Sequence, residues 1–192
     1  MHGRQRISKR KNSNIWGEIM RFVFLGSPGV GKGTYARYIT DKYNIPSVST
    51  GNILRNAVKE GSEQGIEARN YMEKGELVPD QVVIDIIKDR VTDPDCEDGF
   101  ILDGFPRTIK QAESLEENGI HIDAVISFTA PKETIVKRLS GRKTCRKCGA
   151  IFHEIFIPEK IKDICDHCND ELYQREDDKP EAIRERYEIY LE

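Results

Sequence analysis

The sequence predicts a three-layer α/β protein in which a parallel sheet is covered by helices on both faces and a small cysteine-rich module is inserted late in the chain. Three observations predict it. Short apolar runs of strand length alternate with helical stretches. The first run ends in the glycine-rich turn Gly26-Ser-Pro-Gly-Val-Gly-Lys32-Gly-Thr34, which opens a helix. The stretch 143–175 then breaks the alternation and holds four of the five cysteines. Strands that alternate with helices need crossover connections, which are right-handed and bring parallel strands side by side.

In order, Arg21–Leu25 is a strand and Lys32–Lys42 a helix. Pro46–Ser49 is a second short strand, and Thr50-Gly51 opens another helix. Residues 53–92 mix helical segments with turns at Gly61, Gly75 and Pro79. Gly99–Asp103 is a third strand, followed by a helix from Thr108 to Asn118 that stops at Gly119, a residue suited to a C-cap. Ala124–Phe128 is a fourth strand, and Pro131 starts a helix running to about Arg142. The stretch 143–175 contains short β-like pieces such as Ala150–Glu154, and Pro180–Leu191 returns to helix. There is no internal repeat beyond the paired cysteine knuckles, and no low-complexity tract.

At 192 residues the chain can bury one core and one small inserted module. With 38% hydrophobic and 33% charged residues it has the composition of a soluble globular protein, not a disordered one. No apolar run reaches membrane-span length. Net charge is −3, which gives no general attraction to nucleic acid or anionic lipid. The charge is uneven: residues 1–19 carry Arg4, Arg6, Lys9, Arg10 and Lys11 against Glu18 alone. This basic leader lacks an apolar stretch and is not a secretory signal. It is compatible with a targeting or nucleic-acid-binding arm and with a disordered extension; Met20, directly before the first strand, favours the extension. Without a secretory signal, closely spaced thiols read as metal ligands before disulfides, and the compartment as a reducing cytoplasm.

The glycine-rich turn sits between a strand and a helix, the context in which a phosphate loop works. Glycines let successive N–H groups converge on one anion. The following helix adds its N-terminal partial charge, and Lys32 adds a full one for the β- and γ-phosphates. Candidate ATP contacts are Gly29, Val30, Gly31, Lys32, Gly33 and Thr34. Gly33 intervenes where the usual motif has Ser or Thr directly after the lysine, and Thr34 follows it. The core is then expected to be of the P-loop NTPase type.

That departure matches a family. Gly-x-Pro-Gly-x-Gly-Lys-Gly-Thr resembles the nucleoside monophosphate kinases. Ser49-Thr-Gly-Asn-Ile-Leu-Arg55 is similar to the monophosphate-site helix of adenylate kinases, with Asn52 where an acidic residue is usual. Lys74-Gly-Glu-Leu-Val-Pro-Asp80 resembles the loop lining that site, and Asp103-Gly-Phe-Pro-Arg-Thr108 with Gln111 is the most family-specific stretch. Arg138-Leu-Ser-Gly-Arg142, Arg175-Glu-Asp-Asp178 and Arg186 match the arginines that flank a lid. The resemblance runs from Met20 to Glu192. The resembling enzymes continue with a last strand and a C-terminal helix that help close the ATP adenine pocket, so ending at Glu192 leaves an exposed sheet edge as an expectation.

The resemblance implies reversible, Mg²⁺-dependent phosphoryl transfer from ATP to AMP, giving two ADP, by a cytoplasmic monomer. It implies a core of residues 20–48, 79–142 and 179–192, a monophosphate-binding segment at 49–78 and a lid at 143–178. Lys32, Arg107, Arg142, Arg175 and Arg186 are the implied catalytic cations, and Arg138 and Arg142 join the loop at ATP. Thr50, Arg55, Glu76, Leu77, Val78, Gly104, Arg107, Gln111, Arg175 and Arg186 are the implied AMP contacts. Asp103 is implied to reach Mg²⁺ through water. Thr50 leans toward AMP because the similar pyrimidine kinases resemble Ser-Ala-Gly here, and Gln111 can offer an acceptor and a donor to the adenine edge. Physical chemistry supports the arginines. Two facing phosphate groups repel, planar guanidinium forks bind phosphate bidentately, and transfer needs positioning and electrostatics more than a general base.

Cys145-x2-Cys148, sixteen residues, then Cys165-x2-Cys168 has the spacing of a four-thiolate Zn²⁺ site. A closed four-ligand shell leaves no position for water, so the metal is expected to be structural and to supply the folding free energy of a module too small for a core. His153 and His167 are read as surface histidines, and Cys96 as a loop cysteine whose thiolate is disfavoured by Asp95 and Glu97. Three rivals stay open. Another small-molecule kinase, for pyrimidine or guanine nucleotides, differs in its acceptor. A zinc-ribbon nucleic-acid binder is opposed by Glu154, Glu159, Asp163, Asp166, Asp170 and Glu171 in the ribbon. A nucleotide-binding fold without efficient turnover is the third.

Overall fold

The central strand is β1 (Met20–Leu25), and its two-residue period builds a core on each side of the sheet. The computed structural model describes residues 19–191; the basic leader otherwise lies outside the described residues. Val23 faces Val48, Phe100 and Leu102, while its neighbour Phe24 faces Ala36, Ile45 and Ile101. Both faces are therefore apolar and both are covered, as a parallel sheet requires.

The chain runs β1, α1 (Lys32–Tyr43), β2 (Ser47–Ser49), α2 (Thr50–Glu60), α3 (Glu63–Lys74), α4 (Asp80–Val91), β3 (Gly99–Asp103), α5 (Ile109–Glu117) and β4 (Ala124–Ser127). All strand pairs in this sheet are parallel, in the order β2-β3-β1-β4. Helix α1 covers the Phe24 face through Ala36, with Ile39 and Tyr43 packed beside it. Helices α2 to α5 cover the other face with Leu54, Ala68, Val83, Ile84, Ile87 and Leu115. Strands β2 and β4 are the edges among the described residues, and all four side chains of β4 are exposed. No helix among the described residues is long and apolar enough to cross a membrane.

Helix α6 (Lys132–Ser140) ends earlier than the sequence pattern suggests. Gly141 closes it, and Arg142 is already the first residue of β5 (Arg142–Cys145), paired with His153. Strand β5 pairs antiparallel with β6 (Ile151–His153) and with β7 (Leu172–Tyr173). This second sheet has a core of its own, made of Ala150, Phe152, Leu172 and the sulfurs of Cys145 and Cys165. A 3₁₀ turn at Glu176–Asp178 leads into α7 (Pro180–Leu191), whose Ile183 packs with Ile135 and Leu139 of α6.

Two sequence readings change here. His153 is buried rather than on the surface, at 5% exposure. Its Nδ1 accepts from the N–H groups of Ile155 (3.0 Å) and Phe156 (3.3 Å), which makes Nε2 the protonated nitrogen that donates to the Lys137 carbonyl at 3.1 Å. The ring thus ties the cysteine-rich module to the end of α6. His153→Ala would remove these three part-buried hydrogen bonds, and a loss of about 1–3 kcal/mol is expected, at roughly 0.5–1.5 kcal/mol for each bond with water able to replace some of them. Thermal melting checks it; an unchanged midpoint would remove the latch. His167 is exposed as read, its ring tilted 47° to that of Phe152 with centroids 5.9 Å apart. Cys96 is also buried, and its thiol is pushed up to about 11 by burial first, with Asp95 adding to it and Arg90 opposing.

Candidate active site

Parallel register brings three strand ends together. Asp103 at the end of β3 lies opposite Phe24 of β1 and Ser49 of β2. The glycine-rich loop leaves β1, helix α2 leaves β2, and Gly104 leaves β3, all at one crevice. Ligands bind at such carboxyl ends where the strand order reverses, and here β1 is flanked by β3 and β4.

In the loop, Gly26, Gly29 and Gly31 have φ of 136°, 75° and 116°, a backbone that side chains with a Cβ rarely adopt. Val30 donates its N–H to the Ser27 carbonyl (3.3 Å) and Thr34 to the Gly31 carbonyl (3.0 Å). Thr34 therefore offers its hydroxyl rather than its N–H. Lys32 Nζ folds back onto the carbonyls of Gly26 (2.7 Å) and Ser27 (3.0 Å). Its pKa is pulled down to about 8, by burial first and then by Arg107, Arg186 and Arg142, against the opposing pull of Asp103. Arg138 reaches the loop from α6, donating to the Val30 carbonyl at 2.8 Å. The Asp103 carboxylate lies beside Gly33. Burial raises its pKa, and Lys32, Arg107, Arg55 and Arg142 counteract that only in part.

A second cleft adjoins the loop. It is lined by Thr50, Gly51, Leu54, Arg55, Met72, Gly75, Glu76, Leu77, Val78, Val83, Gly104, Arg107, Gln111, Asp177 and Arg186. Every residue the resemblance assigned to AMP is in this wall except Arg175. The wall also holds residues the sequence reading did not single out: Leu54, Met72 and Val83, which are apolar, and Asp177. Gly104, with φ of 79°, is the junction: its carbonyl accepts from Thr50 Oγ1 (3.0 Å) and Arg107 Nε (2.8 Å). A Cβ there would come within 2.9 Å of Arg107 Nη2. Gln111 is buried with both amide ends engaged, Oε1 accepting from the Arg107 N–H (2.8 Å) and Nε2 donating to Asp80 (2.7 Å). It braces the cleft wall while still lining the cleft.

The arginines divide into two groups. Arg55 contacts Asn52 Oδ1 at 2.6 Å and Asp177 at 3.7 Å, and Arg186 contacts Asp177 at 3.0 Å. Arg107 is exposed in the cleft; the desolvation from the protein around it and then Arg186 pull its pKa down to about 10, against Asp103. Arg142 and Arg175 are held at the base of the cysteine-rich module. Arg142 grips Asp178 with Nε (2.7 Å) and Nη2 (2.5 Å), and Arg175 donates to Thr144 Oγ1 at 2.8 Å. Arg175 is pulled down to about 9 by burial, then by Arg142 and Arg55, with Asp177 and Asp178 opposing. The values are depressed by burial first and by neighbouring cations second, and a bound phosphate would offset both.

The four knuckle cysteines meet. Cys145 and Cys168 Sγ are 3.4 Å apart, Cys148 and Cys165 3.6 Å, and all four sulfurs lie within 4.8 Å of one another. A tetrahedral zinc with Zn–S near 2.3 Å sets sulfurs roughly 3.8 Å apart, close to these separations, whereas a disulfide needs about 2.05 Å. The donors therefore fit the metal. For Cys168, the Asp170 N–H favours the thiolate, but burial and the three neighbouring sulfurs outweigh it and push the thiol up to about 12.

The family model described as adenylate kinase matches residues 24–192. An adenylate kinase of Archaeoglobus fulgidus is 56% identical over 175 residues, covering 89% of this chain and 81% of that relative. One of Methanocella arvoryzae is 52% identical over 176 residues, covering 90% and 82%, and one of Caldicellulosiruptor bescii is 53% identical over 175 residues, covering 89% and 81%. A family match over most of the chain, with relatives at this identity, leads to one conclusion: the chain belongs to the adenylate kinase family.

Proposed function

We infer that the chain transfers the terminal phosphoryl group of Mg-ATP to AMP, giving two ADP, in a reaction that runs in both directions. One observation carries the reading. Two adjoining phosphate-sized stations, the loop around Lys32 and the cleft around Arg55, Arg107 and Arg186, share one surplus of positive charge.

In this reading the loop holds the β- and γ-phosphates, with Lys32 and Arg138 as fixed cations. Arg55 and Arg107 hold the acceptor phosphate. An acceptor phosphate oxygen attacks the γ-phosphorus in line, the bond from that phosphorus to the β-bridging oxygen breaks, and ADP leaves as a second ADP forms. Arg142, Arg175 and Arg186 neutralise the charge spread over the transferring group. Asp103 would hold Mg²⁺ through water, where the cation would offset the cost of burying this carboxylate and supply positive charge to the phosphates. Thr50 and Gly104 fix the acceptor wall. No side chain is required as a decisive general base.

Residues 49–78 and 143–178 are the segments proposed to close over the substrates and exclude water, so that ATP is not hydrolysed. They already meet: Lys59 of α2 donates to the Arg146 carbonyl at 3.4 Å. Cys145, Cys148, Cys165 and Cys168 would hold a structural Zn²⁺, which orders the lid and takes no part in the transfer.

A coupled assay with Mg-ATP and each nucleoside monophosphate in turn tests the reading. ADP formation fastest with AMP is expected. A faster rate with CMP, UMP or GMP would move the assignment to another acceptor, and none with any acceptor would overturn it. The depressed pKa of Lys32 adds a pH signature. Its ammonium is present below about 8 and lost above, far earlier than for an exposed lysine. Because kcat/KM reports the free enzyme, its value for Mg-ATP is expected to bend downward near pH 8. A profile flat to pH 10 would contradict this.

A further inference from the structure

Phosphate-binding arginines without phosphate repel one another, so something must hold them in the empty cleft. Asp177 does. Its carboxylate is buried in the cleft wall, 3.0 Å from Arg186 Nη1 and 3.7 Å from Arg55 Nη1. Its neighbour Asp178 is fully buried and bound at both oxygens by Arg142, with Arg186 Nη1 3.5 Å from its Oδ1. The two adjacent carboxylates thus share Arg186, but Asp178 is held chiefly by Arg142 and only Asp177 also meets Arg55. One grips the lid hinge and the other faces the place where the acceptor phosphate belongs.

We propose that Asp177 is an internal stand-in for the acceptor's phosphate, occupying Arg55 and Arg186 until a nucleoside monophosphate displaces it, and so setting both the affinity and the phosphate requirement of the cleft. The inference rests on the acceptor reading of that cleft. A phosphate dianion competes with a single carboxylate because it brings more charge and three oxygens to the same guanidinium forks. A nucleoside without phosphate cannot compete. Burial alone would raise the carboxyl's pKa, but Arg186, Arg55, Arg142 and Arg175 outweigh it and hold the group ionised, as a competing anion must be. Position adds a second role. Asp177 lies in the turn Glu176–Asp178 that joins β7 to α7, so its contact with Arg55 ties the lid's return to the monophosphate helix. Displacing it cuts that tie as the acceptor arrives.

The test uses inorganic phosphate and AMP, each titrated calorimetrically into the full chain without ATP. Asp177→Asn removes the competing charge, and phosphate is expected to bind about tenfold tighter, with AMP tightening in parallel. Asp178→Asn is expected to lower the melting midpoint without tightening phosphate. Equal or weaker phosphate binding in Asp177→Asn would overturn the proposal. Tighter phosphate with no AMP binding in either protein would leave Asp177 as the internal anion and sink the acceptor assignment instead. Should Asp177→Asn not fold, the wild-type carboxyl ¹³C resonances decide. On saturating phosphate that of Asp177 is expected to move while that of Asp178 stays, and a stationary Asp177 resonance would refute displacement.

Discussion

Lys32→Met is expected to lower turnover at least about a thousandfold while leaving the fold and the lid's metal content intact. The size follows from what the ammonium faces. A unit charge about 4 Å from a phosphate charge is worth about 4 kcal/mol at an effective dielectric near 20, and each 1.36 kcal/mol is about tenfold in rate. Removing a donor from a preorganised anion site costs a comparable factor. The fold should tolerate the change, because what Lys32 supplies locally is two hydrogen bonds to the carbonyls of Gly26 and Ser27. Methionine is of similar length and can fill the space that the lysine stem occupies. The readouts are the coupled assay, the melting midpoint and zinc by elemental analysis. A variant keeping more than a tenth of wild-type turnover would remove Lys32, and with it the phosphate loop, from the chemistry.

The legibility of the site follows how each signal is written in the chain. The phosphate loop and the knuckle are local: glycines, lysine and cysteines at fixed spacing are themselves the device, so sequence suffices to find them. The sheet is legible for the same reason, since the alternation of Val23 and Phe24 between two apolar faces needs no distant partner to be read. His153 is different. Its burial depends on meeting the Lys137 carbonyl at the end of α6, a contact that no periodicity encodes. The end of α6 was also beyond the pattern, because Gly141 is a weak stop until Arg142 is seen to pair with His153. Gln111 reads as a free amide until Asp80, thirty-one residues away, is seen to take its Nε2. Asp177 lies within the quoted run Arg175–Asp178, yet which of its three carboxylates meets the cleft is decided by the 3₁₀ turn, not by residue type.

Stripping zinc, or replacing Cys148 with serine, is expected to melt the lid ahead of the core. The lid's own apolar core is Ala150, Phe152 and Leu172 with two sulfurs, too little to offset the ordering of more than thirty residues. Structural zinc contributes about 10–16 kcal/mol in small peptides, so losing even a third of that here would be about 4 kcal/mol. At 2–4 °C per kcal/mol for a chain of this size, the midpoint should fall by about 8–16 °C. Cys148 is the informative ligand because it is exposed and contributes no packing, so serine there tests the sulfur–metal bond with little else disturbed. Hydrogen exchange should localise the loss to Lys143, Thr144 and Phe152, whose backbone forms the β5–β6 pairing, and spare the β1–β3 pairing. Turnover should fall less than in Lys32→Met, since the proposed metal would order the cysteine-rich module and touch no phosphate. Equal midpoints with and without chelator would mean that the four thiols hold no metal, and the lid would then have to stand on the His153 latch and the Arg142–Asp178 pair, which makes their double replacement the next variant to unfold it.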